Sequence, residues 1–145
     1  MGNRFRTSTP MGDWRSFKFT HAEQAVIWYE GKLYKINDTV GMLFLDVQYD
    51  ADGCKKEAKL EYGEEGVLVY HIEKVIVDKV HTTGDAFQVG DKVFWSVVSG
   101  DPVTPHFNSS DPPMWIGICT EPAGQLDTTV EIDLKGDKAT YLHVL

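Results

Sequence analysis

One stretch with two glycines and a lysine resembles a phosphate-binding loop more than any other part of this sequence does. It reads GDAFQVGDKVFW and begins at Gly84. In a P-loop, GxxxxGK[ST], backbone N–H groups and the lysine bind phosphates, and the Ser or Thr hydroxyl binds magnesium. Here five residues separate Gly84 from Gly90, and Asp91 stands where the lysine should be. Since a carboxylate repels phosphate, the stretch predicts a turn that leads into a β-strand.

Two acidic segments could bind calcium or perform acid–base chemistry. If Gly53 of Asp50-Ala-Asp-Gly53 is set at position 6 of an EF-hand loop, Gln48 and Lys59 fall where an Asp and a bidentate Glu are required. A tight turn is therefore predicted there. A second segment is rich in glutamate, and paired carboxylates can hydrolyse glycosides. We predict a solvated acidic face for its members, Glu57, Glu61, Glu64 and Glu65.

Cysteine and histidine spacing gives no metal-ligand motif. Cys54 and Cys119 are the two cysteines, and the five histidines are scattered. We therefore expect no catalytic residue, no metal and no cofactor. Cys119 lies in an apolar run and is predicted to be buried, while a disulfide between the two cysteines stays open.

Composition indicates one globular domain with an uneven charge. The chain has 145 residues, 42% of them hydrophobic, and a net charge of −8. Residues 1–19 have a net charge of +3, so residues 20–145 sum to −11. An acidic body disfavours nucleic-acid binding, because it repels the phosphate backbone. No apolar run approaches the length of a membrane-spanning helix, so no membrane partner is expected.

Short apolar and β-branched runs separated by Gly and Pro predict an all-β fold, a small single-domain barrel or sandwich. The first two runs are expected to pair as a hairpin, and the run 67–77 to contain a bend or two strands. One short helix, beginning at a capping box formed by Thr20 and Glu23, is the alternative for residues 20–27. The strand candidates cover residues 25–29, 33–36, 41–49, 67–77, 93–98, 115–119 and 129–134.

The tryptophans and the N-terminal segment could both bind other molecules. Trp28, Trp95 and Trp115 lie in strand candidates and are predicted to be core residues, with a carbohydrate-binding platform as the alternative. Residues 1–19 have no sustained helix or strand period, yet they contain four large aromatic residues. A disordered tail is normally poor in aromatics. We therefore expect an extended N-terminal arm over residues 1–19, which docks on a partner or on its own domain, and a β-rich domain over residues 20–145.

Three short motifs in the second half of the chain occur in a recognisable order. They are Val89 to Trp95, Ile116 to Cys119 and Leu134 to Gly136. Their order and spacing resemble the small β-rich capsid decoration (cement) proteins of tailed bacteriophages, and the resemblance extends over most of the chain. In this chain the segment from Asp46 to Gly66 is more charged, and the arm is longer and more aromatic, than is usual in that group.

The resemblance implies a structural accessory protein and not an enzyme. Such a protein binds the outer surface of an assembled phage head, usually as a homotrimer, and stabilises the capsid by bridging subunits of the major capsid protein. It would reside on the virion, and in the host cytoplasm during assembly. The arm would contact capsid or neighbouring subunits through Arg4, Phe5, Arg6, Trp14, Arg15 and Phe17. Turn and strand geometry would depend on Gly84, Gly90, Asp91, Trp95, Gly117 and Gly136. The alternative function is a carbohydrate- or small-ligand-binding β-domain.

Overall fold

The protein is all-β, as the sequence predicts. The computed structural model describes residues 14–45, 49–54 and 56–141. Helical structure in these residues is confined to one 3-10 turn, η1 (Gly136–Lys138). The strands are β1 (Arg15–Thr20), β2 (Trp28–Tyr29), β3 (Leu33–Ile36), β4 (Thr39–Phe44), β5 (Lys59–Leu60), β6 (Glu65–Asp78), β7 (Lys92–Trp95), β8 (Val103–Thr104), β9 (Met114–Cys119), β10 (Thr129–Lys135) and β11 (Thr140–Tyr141).

The 14-residue strand β6 organises the main sheet, which has nine strands. Its first half pairs with β1 and β4, and its second half pairs with β10, all antiparallel. The sheet continues through β9 and β7 to β8. An isolated bridge from Val103 to Lys79, just after β6, joins the far end of the sheet back to its centre. The sheet therefore curls into a partly closed barrel.

Two hydrophobic cores lie on opposite faces of the strands β3, β4 and β6. Successive side chains of a strand point to opposite faces. Thus Met42 and Val69 pack in the large core inside the barrel, while their neighbours Leu43 and Leu68 pack in a smaller one outside it. The smaller core is covered by the ribbon of β2 and β5, through Trp28 and Leu60.

The structure corrects two of the sequence-based expectations and refines a third. The predicted hairpin of residues 25–36 is wrong, because β2 pairs with β5 and β3 pairs with β4. The run 67–77 lies within the single strand β6, which has a positive φ of 54° at Lys74 near a register shift against β10. The expected bend is therefore a bulge inside one strand. The helix alternative for residues 20–27 is also wrong, since this stretch ends β1, turns, and enters β2.

The first described residues extend the main sheet. β1 occupies residues 15–20, and the whole of this strand pairs with the first half of β6. The last part of the predicted arm is therefore a strand of the main sheet. Within the described ranges, no helix is long and apolar enough to cross a bilayer.

Candidate interaction surface

The predicted contact residues are divided between the main sheet and a segment outside the described residues. Arg4, Phe5 and Arg6 lie in that segment. Trp14 immediately precedes β1, is 45% exposed, and meets Phe44 edge-on with 6.4 Å between the ring centroids. Arg15 is the exposed first residue of β1. Trp14 and Arg15 thus lie side by side at the surface.

Phe17 belongs to the packing of β1 and only partly to its surface. It is half-buried, and its ring centroid lies 5.7 Å from Tyr70 and 6.4 Å from Phe19. Phe19 in turn lies 5.6 Å from Trp28. Alternate residues of β1 therefore face the smaller core, and these aromatic contacts fix the strand that begins at Arg15, directly after Trp14.

Three stacked rings stabilise the ribbon that covers the smaller core. Trp28 lies between His21 and Tyr34, with 4.3 Å between centroids on either side. The hydroxyl of Tyr34 accepts the Tyr29 N–H at 2.7 Å, and burial raises the pKa of this phenol. The ring Nε2 of His21 lies 2.6 Å from the Val26 carbonyl oxygen. The stack is therefore held at both ends by backbone contacts.

A pocket of about 460 Å³ opens where β1, β4 and β5 end. Phe44, Leu45, Leu60, Gly66 and Val67 form its apolar part, and Lys18, Lys59, Glu64 and Glu65 form its polar part. Glu64 has a local structural role, because its Oε1 accepts the Glu61 N–H at 2.7 Å. Two ammonium groups and two carboxylates over an apolar floor suit a side chain of mixed character.

The other acidic residues considered as calcium ligands or as an acid–base pair lie in the predicted turn or at solvent-exposed positions. Asp50 Oδ1 accepts the N–H groups of Asp52 and Cys54, both at 2.9 Å, and Gly53 has a φ of 79°. The tight-turn prediction is confirmed. Glu57 and Glu61 are exposed. Among the described residues, no group of three or more His, Cys, Asp or Glu side chains is placed to hold a metal ion.

The stretch around Asp91 is a turn followed by a buried strand, as predicted. Gly84 and Gly90 have φ values of 92° and 91°, a region that favours glycine. The Asp91 carboxylate accepts the Gln88 N–H at 2.8 Å and closes the second turn. Trp95 is fully buried, and its Nε1–H donates to the Asp101 carbonyl at 3.1 Å. These residues are architectural.

Gly117 and Gly136 lie where two backbones approach too closely for any side chain. A Cβ on Gly117 would overlap the carbonyl oxygen of Asp133 in the neighbouring strand. A Cβ on Gly136 would overlap the carbonyl oxygen of Val40. Both glycines are therefore required by close backbone packing, Gly117 between β9 and β10 and Gly136 between η1 and β4.

Sequence reasoning missed Lys79 as a structural residue. Its side chain is buried, and its ammonium donates to the carbonyl oxygens of Val80 (2.7 Å), Asp127 (2.9 Å) and Gln125 (3.2 Å). All three donors of the ammonium are thus used at one end of the barrel. Its position directly after a β-branched strand carries no sequence signal of burial.

A Thr–Asp–His cluster joins two loops but does not form a catalytic triad. The buried Asp85 carboxylate accepts the hydroxyl of Thr82, and the ring Nε2 of His106 lies 3.5 Å from the other carboxylate oxygen. His106 also contacts the carbonyl of Gly84. A triad needs a hydroxyl that donates to the histidine. Here the hydroxyl donates to the aspartate, so the cluster is a loop contact.

The two cysteines are free in this structure. Cys54 is exposed and Cys119 is buried, as predicted for the latter. The thiol of Cys119 donates to the Glu121 carbonyl at 2.9 Å, and burial raises its pKa. A raised pKa lowers the thiolate fraction, which makes Cys119 a poor nucleophile.

Of the three tryptophans predicted to be core residues, Trp28 and Trp95 are buried. Trp115 is half-buried on the outer face of β9, and its Nε1–H donates to the Gly117 carbonyl at 2.8 Å.

Comparison with known proteins gives no match: no protein-family model, no curated protein and no solved structure matches this chain. The function of this chain must therefore be inferred from its residues and their geometry.

Proposed function

We propose that this protein is a capsid decoration protein, which binds the outer surface of a bacteriophage head and bridges subunits of the major capsid protein. In this role it associates with itself, as a homotrimer. The ordered resemblance of the three motifs in the second half of the chain carries the proposal. The first two contain residues with architectural roles here, Gly90, Trp95 and Gly117, and Gly136 ends the third.

The surface properties of the N-terminal end support this role. Trp14 and Arg15 are consecutive exposed residues at the start of β1, a strand that aromatic packing holds in place. Tryptophan and arginine are the side chains that most often dominate protein interfaces. The preceding residues include Arg4, Phe5 and Arg6, so residues 1–19 are positive and aromatic in sequence whereas the rest of the chain is acidic. Such a segment can bind a neighbouring subunit while the barrel keeps its structure.

Stabilisation of a head by this protein would follow from mass action. A protein that binds only the assembled shell lowers the free energy of that shell, and disassembly then requires its release. The function needs a folded body and an adhesive surface, and it needs no reaction chemistry.

Co-sedimentation with mature, DNA-filled heads of the phage that encodes this chain tests the proposal. We expect saturable binding of the full chain, and heads with bound protein should resist heating or chelator treatment better than bare heads. A double substitution, Trp14→Ala with Arg15→Ala, should reduce binding. Arg15→Ala alone should reduce binding less than the double substitution does. Tyr49→Ala, at another exposed aromatic residue, is the matched control and should leave binding unchanged. Absence of the full chain from sedimented heads at saturating concentration would refute the proposal.

A further inference from the structure

The outer face of β9 and β10 carries a groove of about 270 Å³ beside Trp115. Its lining consists of Trp115, Ile116, Gly117, Ile118, Asp133, Lys135 and Lys138. The indole of Trp115 is fixed by its hydrogen bond to the Gly117 carbonyl and by the Lys92 ammonium, 4.8 Å from the ring centroid. The groove thus has a rigid apolar floor.

Positive charge surrounds this floor in a chain whose net charge is −8. Lys92, Lys135 and Lys138 contribute three ammonium groups. The side-chain ammonium groups of Lys135 and Lys138 have no hydrogen-bond or ion-pair partner in the part of the chain that the structure describes. Asp133 is the one carboxylate in the lining, and its Oδ1 accepts the Lys74 N–H at 2.9 Å. The groove can therefore attract carboxylates.

An apolar floor with a cationic rim fits an apolar or aromatic side chain that is flanked by carboxylates. A sugar would need several polar side chains across the floor to bond its hydroxyl groups. In this groove those polar groups are confined to the rim, and the carboxylate of Asp133 already accepts a backbone N–H. The chemistry therefore favours an acidic peptide segment over a carbohydrate.

The chain itself contains a segment of this kind, the turn between β5 and β6, with the sequence Glu61-Tyr-Gly-Glu-Glu65. Tyr62 is 53% exposed, and the three glutamates are exposed around it. The turn is preorganised, because the Glu61 N–H donates to Glu64 Oε1 at 2.7 Å and the Gly63 N–H donates to the His21 carbonyl at 2.8 Å. A rigid turn loses little entropy on binding.

The turn and the groove of one molecule are too far apart to meet. Glu65 begins β6, whereas Lys135 at the groove pairs with His71, six residues further along that strand. Six residues of strand span roughly 20 Å. Both features are fixed to the same sheet, so neither can move to the other. A Tyr62 turn that binds this groove must therefore come from another molecule.

We propose that the Trp115 groove of one copy binds the Tyr62 turn of a second copy. Tyr62 lies on the floor, and Glu61 and Glu65 pair with Lys135 and Lys138 at the rim. This contact is head-to-tail, and repetition of such a contact forms a ring when the rotation closes. The proposal rests on the self-association included in the proposed function, and it names the surfaces that produce it.

Charge reversal with compensation in the full chain tests this contact. Molecular mass is measured by light scattering over a concentration series in low and in high salt. K135E/K138E and E61K/E65K should each weaken self-association by roughly tenfold or more, because like charges then face each other. The chain that carries all four substitutions should associate again. Glu64 is left unchanged so that the turn keeps its internal hydrogen bond.

Matched controls separate the contact from general effects of charge. The double variant K35E/K56E changes two lysines outside the turn and the groove by the same total charge and should leave association unchanged. Y62A should weaken association, whereas Y49A, at a tyrosine that is also exposed, should not. High salt should weaken the wild-type contact, since the rim pairs are exposed. Thermal unfolding of each variant confirms that it is folded.

The outcomes also separate this proposal from the function proposed above. A monomeric wild-type chain at all concentrations, or association that both charge reversals leave intact, overturns the contact. If such a chain still co-sediments with heads, head binding stands and the contact is refuted; where the chain is monomeric, the homotrimer is refuted as well. If the chain associates as described but does not bind heads, the contact stands and the proposed function is refuted.

Discussion

Lys79 shows how a single buried cation can hold several loops together. Its ammonium lies at the point where β6 ends and donates to the carbonyl oxygens of Val80, Gln125 and Asp127. A buried charge is tolerated only when its hydrogen-bonding capacity is satisfied. These three acceptors come from two different loops, so the side chain links the connection after β6 to the connection before β10. The bridge from Lys79 to Val103 adds β8 to the same junction.

Replacement of Lys79 by methionine should destabilise the fold without changing its architecture. Methionine has a similar length, but it cannot donate hydrogen bonds, so three carbonyl oxygens lose a donor. We expect a loss of about 2–4 kcal/mol in the free energy of unfolding, since each unsatisfied buried group costs about 1–3 kcal/mol and water can rescue part of this. Urea denaturation measures the loss. Lys56→Met, at an exposed lysine, should change stability by no more than about 0.5 kcal/mol, as is usual for surface sites. Equal stability of the two variants would contradict the structural role of Lys79.

At the residue scale, the sequence predicted the backbone conformation of turn residues better than it predicted which side chains are buried. Gly84, Gly90 and Gly53 could be predicted as turn residues, because glycine next to aspartate has a local conformational meaning. The burial of Lys79 and the partial exposure of Trp115 depend on which strands become neighbours. Local sequence carries no such information, so both were missed.

Strand β7 and the turn that precedes it form the element with the clearest sequence signature. The turn is closed by Asp91, whose N–H donates to the Gln88 carbonyl at 3.1 Å while its carboxylate accepts the Gln88 N–H. Gly90 stands inside this turn with a φ of 91°, and nothing lies within 4 Å of the position that a Cβ would take. A side chain at this position therefore meets a conformational cost and no steric clash.

Gly90→Val should lower stability through backbone strain alone. A β-branched residue at positive φ costs on the order of 1–3 kcal/mol. Gly90→Asn is the matched variant, since asparagine tolerates positive φ better than other residues and should cost less. Thermal unfolding of the two variants compares them directly. If valine at this position leaves the melting temperature unchanged, the tight turn is not required for the stability of β7.

The long strands could be predicted from sequence, but their partners could not. The runs that became β6, β9 and β10 have β-branched or alternating patterns over several residues. The short strands β2, β5, β8 and β11 have two residues each, too few to give a pattern. β2 pairs with β5 across a long stretch of chain instead of forming a hairpin with β3. Such non-local pairing is decided by the packing of Trp28 and Leu60 on the smaller core.

At the scale of the whole molecule, the two cores have different roles: the large core supports the barrel, and the smaller core attaches other strands to its outer face. The large core fills the barrel, whereas the smaller core on its outer face anchors both the β2–β5 ribbon and strand β1. The N-terminal segment is therefore joined to the body through aromatic packing as well as through backbone pairing. Phe17 and Phe19 supply that packing from alternate positions of β1.

Two truncations should separate attachment to partners from stability of the body. Removal of residues 1–13 keeps β1 and should leave the free energy of unfolding nearly unchanged. Removal of residues 1–19 takes away a strand that pairs with β6 from Ser16 to Phe19, together with two half-buried phenylalanines. Because a fully buried phenylalanine contributes about 1.5–3 kcal/mol, we expect this second truncation to cost at least about 2 kcal/mol. Urea denaturation gives both values, and binding of a hydrophobic dye reports exposure of the smaller core. Equal stability of the two truncated chains would show that β1 is not an integral strand of the sheet. A large loss on removal of residues 1–13 alone would show that the first segment also folds against the barrel.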